Sequence, residues 1–182
     1  DYRPQMATVR PGVMKLAEAQ PGKQGEVEDF KVEFTPEDMN VTIKEVIKET
    51  KKAVDITDAK VLVSGGRGIG SADYYKELQK VADLLGGEIS SSRANVDAGW
   101  IAKDRQVGQT GKTVRPDLYL ACGISGAIQH IAGMENSECV ISINKNDTAA
   151  IFDVSDLGIV GDVKVIIPKL IDALTKYKAA QN

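Results

Sequence analysis

Leu118-Tyr119-Leu120-Ala121-Cys122-Gly123-Ile124-Ser125-Gly126-Ala127-Ile128-Gln129-His130 is the stretch that decides the fold. An apolar run empties into small residues and then into polar, helix-compatible ones, which reads as strand, tight turn and helix start. Ser125 is an adequate N-cap for that helix. At such a turn the first backbone N–H groups of the helix lack internal partners, and the helix dipole favours negative charge. An anionic ligand group belongs there. His130, the one histidine of the chain, falls about one and a half turns into the expected helix, so a titratable donor lies near the same ligand.

The same pattern extends to both sides. Val61-Leu62-Val63 runs into Gly65-Gly66-Arg67-Gly68, and Tyr74, Leu78, Val81 and Leu85 then mark one face of a helix ended by Gly86-Gly87. Glu88-Ile89-Ser90 gives a second strand, residues 118–122 a third, residues 139–143 a fourth and residues 163–167 a fifth. Pro168 at a helix N1 position then starts a last helix carrying Leu170, Ile171, Leu174 and Tyr177. Strands alternating with helices imply an α/β domain, a doubly wound parallel sheet with helices on both faces. Ligands of such sheets sit at the carboxyl ends of the strands, where these glycine turns fall.

The first 52 residues read differently, which suggests part of a longer polypeptide and a boundary near Ala53. Residues 6–9, 27–34 and 41–43 are short extended candidates, separated by Pro11-Gly12, Pro21-Gly22 and Thr35-Pro36. They are too few to close a core alone.

Bulk properties exclude several classes. With 182 residues, 42% hydrophobic and 27% charged, the chain can bury roughly 70% of its unfolded surface. A net charge of −3 and a pI near 5.3, without a basic run interleaved with aromatics, argue against nucleic acid as a partner. No apolar stretch approaches the roughly 18 residues that span a membrane, and the start resembles no targeting peptide. Cys122 and Cys139, on separate apolar segments, read as buried reduced thiols in a reducing compartment; the expected location is the cytoplasm, or the mitochondrial matrix in a eukaryote. Two familiar motifs fail. A dinucleotide fingerprint aligned on Gly66-Arg67-Gly68-Ile69-Gly70 ends in Ser71 instead of glycine, and Gly111-Lys112-Thr113 lacks the first glycine and the strand of a phosphate loop.

Four segments, in order, carry a specific resemblance: Ser64-Gly65-Gly66-Arg67-Gly68; Ser92-Arg93-Ala94-Asn95-Val96-Asp97-Ala98-Gly99; Gln106-Val107-Gly108-Gln109-Thr110-Gly111-Lys112; and Gly123-Ile124-Ser125-Gly126-Ala127-Ile128-Gln129-His130. Together they resemble the FAD domain of the electron transfer flavoprotein alpha subunit, with a Rossmann-like fold. The likeness continues through Ala132-Gly133-Met134, Ile143-Asn144-Lys145 and Gly158-Ile159-Val160-Gly161-Asp162, covering residues 53–182. Residues 3–12 resemble the tail of that subunit's N-terminal domain, so residues 1–52 read as the remnant of that domain and a linker. The family's Ala-Pro-Ile-Phe is Ala149-Ala150-Ile151-Phe152 here, and its Ala-Asp-Tyr-Gly is Ser155-Asp156-Leu157-Gly158.

The resemblance implies a carrier, not an enzyme in its own right, that holds FAD non-covalently and forms a heterodimer with a beta subunit. Its electrons come from acyl-CoA or other flavin dehydrogenases and leave to a quinone oxidoreductase or ferredoxin system. The rival readings are the alpha subunit of a bifurcating flavoprotein and a transhydrogenase-type NAD(P)-binding domain. By motif position the resemblance implies that Arg93 lies against the isoalloxazine, that Gln109 and Thr110 hydrogen-bond near its N5 and O4 edge, and that His130 approaches N1 and O2. It places Arg67 and Ser92 at the diphosphate. It assigns Ser125, Gly126, Ala127 and Gln129 to the helix-start wall, and Asn144 and Asp162 to the adenosine end. Gly68, Gln106, Val107, Gly108 and Gly123 complete the set, and no metal is expected. On residue type alone, Arg67 also reads as a solvated arginine and His130 as a satisfied core histidine. Asp162 reads as a cap, and Gln109 and Thr110 as turn formers.

Overall fold

The central strands of the α/β sheet are short and largely buried on both sides, because both faces are covered. The computed structural model describes residues 2–9, 14, 17–39, 41–45 and 54–180. The chain divides into two units, Asp1–Met14 with Val54–Asn182, and Lys15–Ala53.

In the first unit five parallel strands, β1 (Val61–Gly65), β2 (Glu88–Ser91), β3 (Leu118–Cys122), β4 (Val140–Asn144) and β5 (Leu157–Val160), lie in the order β2-β1-β3-β4-β5. The chain starts in β1, steps to one side for β2 and then crosses to the other side for β3. The strand order therefore reverses between β1 and β3, where Gly65 is the register partner of Cys122.

Alternation along the strands sorts the core into two layers. Val63, Leu120, Cys122 and Ile143 pack against α1 (Tyr75–Leu85) and α4 (Val163–Ala179). In α1 the buried Tyr75, Leu78, Val81 and Ala82 form one stripe at helical spacing. On the opposite face Leu62, Tyr119, Ala121 and Val140 pack against Ile56, Val107, Val114, Met134 and Ile151. That second face is closed by loops, by the one-turn helix α3 (Ile128–Ile131) and by a 3-10 turn at Ala150–Val154. A further short helix, α2 (Arg93–Asp97), follows β2.

Residues 163–167 are not the fifth strand that their composition suggests. They open α4, and the strand at the sheet edge is β5. Val-Lys-Val-Ile-Ile has β-branched character, but Asp162 accepts a hydrogen bond from Lys164 N at 2.9 Å as the N-cap, and Val163 and Ile167 bury together at a spacing of four. Packing and the cap override propensity. Pro168 accordingly stands inside α4 and not at its first position. It cannot bond to the Lys164 carbonyl, and both residues are exposed, so water can satisfy that group.

In the second unit Pro21-Gly22 forms a turn, closed by Lys23 N donating to Gln20 O at 3.2 Å. A 3-10 turn at Pro36–Asp38 is capped by the Thr35 amide and hydroxyl, which donate to Asp38 at 2.9 and 2.8 Å. Among the described residues no strand forms at 6–9, 27–34 or 41–43, and Val27, Phe30, Phe34 and Val41 are exposed. An extended segment without a neighbouring strand has no ladder to join. The boundary near Ala53 and the Pro11-Gly12 turn lie outside the described residues.

Leu62 is fully buried in the central strand. Leu62→Ala is expected to destabilise the domain by roughly 2–5 kcal/mol. Urea unfolding followed by far-UV circular dichroism measures it, and a loss under about 1 kcal/mol would contradict this core assignment.

Candidate functional site

The site is built where β1 and β3 end. Gly66 N donates to Cys122 O at 2.9 Å and Gly68 N donates to Gly123 O at 3.0 Å, so the two turns lie backbone on backbone. A Cβ on Gly66 would stand 2.3 Å from Gly123 O, which no side chain could relieve. Above this floor a cavity of about 560 Å³ opens along the carboxyl edge of the sheet, within the ordinary range for a small-molecule site.

Arg67 and Gly68 reach its wall from the turn after β1, and Ser92 and Arg93 from the start of α2. Gln106, Val107, Gly108, Gln109 and Thr110 come from the loop after α2. The segment after β3 supplies Gly123, Ser125, Ala127, Gln129 and His130, and β4 ends in Asn144. The four segments that carry the resemblance therefore meet at one place. Gly66, Ala94 and Ile124 also line the wall and were not singled out from sequence.

Two of the expected residues stand apart from the lining. Gly126 packs under the 3-10 turn at Ala150–Val154: with φ at +88°, its Cβ position falls 2.1 Å from Ile151 N. The structure accounts for glycine here by close backbone approach. Asp162 caps α4 and pairs with Lys145 at 2.9 Å. The Lys145 ammonium and then the Lys164 amide hold its carboxyl below the usual range.

The helix after β3 is shorter and starts later than its sequence suggests. Gly126 in the left-handed region breaks the turn, the N-cap is Ala127 and not Ser125, and His130 is the third residue of α3. No side chain caps this end.

The loop at 106–112 is held on three sides. Gln106 Nε2 donates to Thr110 Oγ1 at 3.0 Å, Val107 N bonds to Ser91 O at 2.9 Å, and Gln109 N bonds to Gln129 O at 2.7 Å. At its far end Lys112 pairs with Asp55 at 2.8 Å, which draws the Asp55 carboxyl down to about 2.

Beneath the first turn, Gly65 O accepts from Asn95 Nδ2 at 3.1 Å and from Tyr75 Oη at 3.2 Å, while Tyr75 Oη and Ser91 Oγ lie 2.6 Å apart. This buried cluster fixes α2, and with it Ser92 and Arg93, against the end of β1. Tyr75 and Ser91 carry no sequence signal for that task, and Asn95 lies within a matched segment without revealing it.

Charge and protonation define what the wall can do. Arg93 is exposed and pairs with Asp97 of its own helix at 3.2 Å, and no ion pair of Arg67 is found among the described residues. The guanidinium groups offer permanent charge and planar donor forks suited to phosphate. Asn144 holds the turn by donating to Ile124 O at 2.8 Å. His130 is 7% exposed, with Nε2 3.0 Å from Tyr119 Oη and Nδ1 lacking a well-formed hydrogen bond. Burial lowers its pKa to about 4, the Val107 backbone opposing in part. At neutral pH it is an uncharged donor and acceptor, not a cation. Burial also pushes the Cys122 thiol up to about 12, which makes it a packing residue. Among the described residues no group of three His, Cys, Asp or Glu could hold a metal, and no helix is long and apolar enough to cross a membrane. The wall suits a long anionic ligand with a flat polar head. The wall carries two guanidinium groups, glycines that leave the backbone open, and amide, hydroxyl and imidazole groups.

Comparison with known proteins gives the same description. Residues 55–135 match the family described as electron transfer flavoprotein FAD-binding domain. The chain is 53% identical over 178 residues to an electron transfer flavoprotein subunit alpha from Thermoanaerobacterium thermosaccharolyticum, covering 98% of this chain and 54% of that protein. It is 45% identical over 164 residues to the Bacillus subtilis electron transfer flavoprotein subunit alpha, covering 90% and 50%. It is also 49% identical over 185 residues to the acryloyl-CoA reductase electron transfer subunit beta of Anaerotignum propionicum, covering 98% and 50%. The chain spans about half the length of the curated relatives it matches.

The lowered His130 pKa has a stability consequence. Between its ordinary value of 6.5 and about 4 the unfolded chain binds the proton and the folded chain does not, so stability falls as pH drops through that window. The loss expected from this residue is at most on the order of 3 kcal/mol. Urea unfolding across the same window measures it, and His130→Gln should flatten the dependence; an unchanged slope in the variant would contradict the neutral, buried histidine.

Proposed function

We propose an electron-carrying role for this chain, which belongs to the electron transfer flavoprotein alpha-subunit family. The observation that carries the reading is the convergence of four separated sequence segments on one cavity at the point where the strand order reverses. The cofactor is FAD, whose flavin supplies transfer of one or two electrons when bound.

The chain's own residues bind, orient and tune. Arg67, beside the floor glycines, meets the diphosphate with a fixed charge, and Ser92 adds a short hydroxyl next to it. Arg93 stands at the same end of α2 and sets a positive charge on the flavin side. Gln109 and Thr110, held by Gln106 and by the Gln129 carbonyl, give the ring edge oriented polar groups. His130 and Gln129 close the opposite wall. Asn144, already committed to Ile124 O, has its place at the adenosine end. Asp162 serves first as the cap of α4.

The whole protein works as a heterodimer with a beta subunit. It takes electrons from flavin dehydrogenases, those acting on acyl-CoA thioesters among them, and delivers them to a downstream acceptor. The electron-transfer names of the relatives support this assignment.

Two outcomes are expected. Added FAD should bind with a flavin absorption spectrum; tight NADPH binding without flavin uptake would overturn the reading. Arg93→Ala should lower the midpoint potential of the bound flavin, because reduction places negative charge that this guanidinium offsets. A net effect of about 1 to 2 kcal/mol corresponds to roughly 40 to 85 mV for one electron. Spectroelectrochemical titration reads the shift, and an unchanged potential removes Arg93 from the tuning role.

A further inference from the structure

We infer that Tyr119 is a positioning residue that holds His130 as the neutral Nδ1–H tautomer at the cavity wall. Its consequence for a cofactor rests on the FAD reading above; the tautomer itself does not.

Tyr119 lies in β3, fully buried, with its phenol oxygen 3.0 Å from His130 Nε2. The rings meet at a tilt of 58° with centroids 6.1 Å apart. Ser64 and Ser90 are register partners on β1 and β2, completely buried. Their hydroxyls lie by the phenol oxygen, yet neither closes a hydrogen bond of good geometry. The one well-formed bond of the phenol oxygen among the described residues therefore joins it to the imidazole.

The direction of that bond follows from the chemistry of the partners. A phenol is a good donor and a modest acceptor, whereas an unprotonated imidazole nitrogen is a strong neutral acceptor. The burial of both rings opposes charge on either. Tyr119 keeps its proton and donates it to Nε2. A neutral imidazole carries one N–H, so the proton of His130 sits on Nδ1. The Val107 backbone also acts on the ring, in the direction that favours protonation.

The pairing matters because the His130 side chain has no other well-formed hydrogen bond among the described residues. It belongs to a helix of four residues without a side-chain cap. Tyr119, in contrast, belongs to the central part of the sheet, with β1 on one side and β4 on the other. The phenol thus transmits the rigidity of the sheet to a side chain on a one-turn helix. A histidine fixed this way presents a constant pattern of donor and acceptor to whatever occupies the cavity.

The test is the 15N spectrum of the histidine side chain in the whole protein, FAD-free and FAD-loaded, with His130→Gln identifying the signal. The expected wild-type result at neutral pH is a protonated-type Nδ1 resonance and an acceptor-type Nε2 resonance. In Tyr119→Phe, which keeps the ring volume, the two resonances should move toward each other or exchange character while FAD uptake persists. An Nε2–H tautomer in the wild-type protein overturns the proposal, and so does a Tyr119→Phe spectrum identical to wild type. If Tyr119→Phe does not fold, the wild-type spectrum alone decides. Absence of FAD uptake by the wild-type protein overturns the cofactor reading and leaves the FAD-free spectrum to decide the tautomer.

Discussion

Two turns touch through their backbones at the carboxyl edge of the sheet, and the rest of the site depends on that contact. Gly66 and Gly68 donate to the carbonyls of Cys122 and Gly123, which locks the ends of β1 and β3 at one height. Any side chain at Gly66 would wedge them apart. The floor of the cavity is therefore bare peptide, and a ligand can approach main-chain dipoles that side chains would otherwise screen.

The groups around that floor are held by buried polar bonds on both faces of the sheet. On one side Tyr75, Ser91 and Asn95 gather around the Gly65 carbonyl and fix the start of α2. On the other, Tyr119 reaches His130 across the second core layer. Buried polar groups are costly unless paired, so these clusters restrict the arrangements the core can adopt. They give a wall made largely of loops the rigidity of the sheet beneath it.

The cationic side chains behave differently. Arg93 is solvent-exposed and, among the described residues, pairs with Asp97 on its own helix, so it can exchange that partner for a ligand at little cost. Lys112 and Asp55, by contrast, pair across the domain and anchor the far end of the loop that carries Gln109 and Thr110. One ion pair is exposed at the cavity wall, whereas the other steadies a loop that lines it.

The sequence by itself determined the parallel α/β architecture, through alternation of apolar runs, glycine turns and amphipathic stripes whose periods differ physically. Through their resemblance to a known family it also marked four segments that the fold brings to one cavity. Tertiary structure decided where local preference and packing disagree. Residues 163–167 have strand composition, yet the Asp162 cap and the shared burial of Val163 and Ile167 make them helix. Gly126 and Asp162 belong to matched segments, but contacts with Ile151 and Lys164 give them structural tasks. Tyr119, Tyr75 and Asn95 look like ordinary core and turn residues in the sequence. Their roles arise from hydrogen bonds to partners 10 to 30 positions away, distances that only the folded chain brings to bonding range.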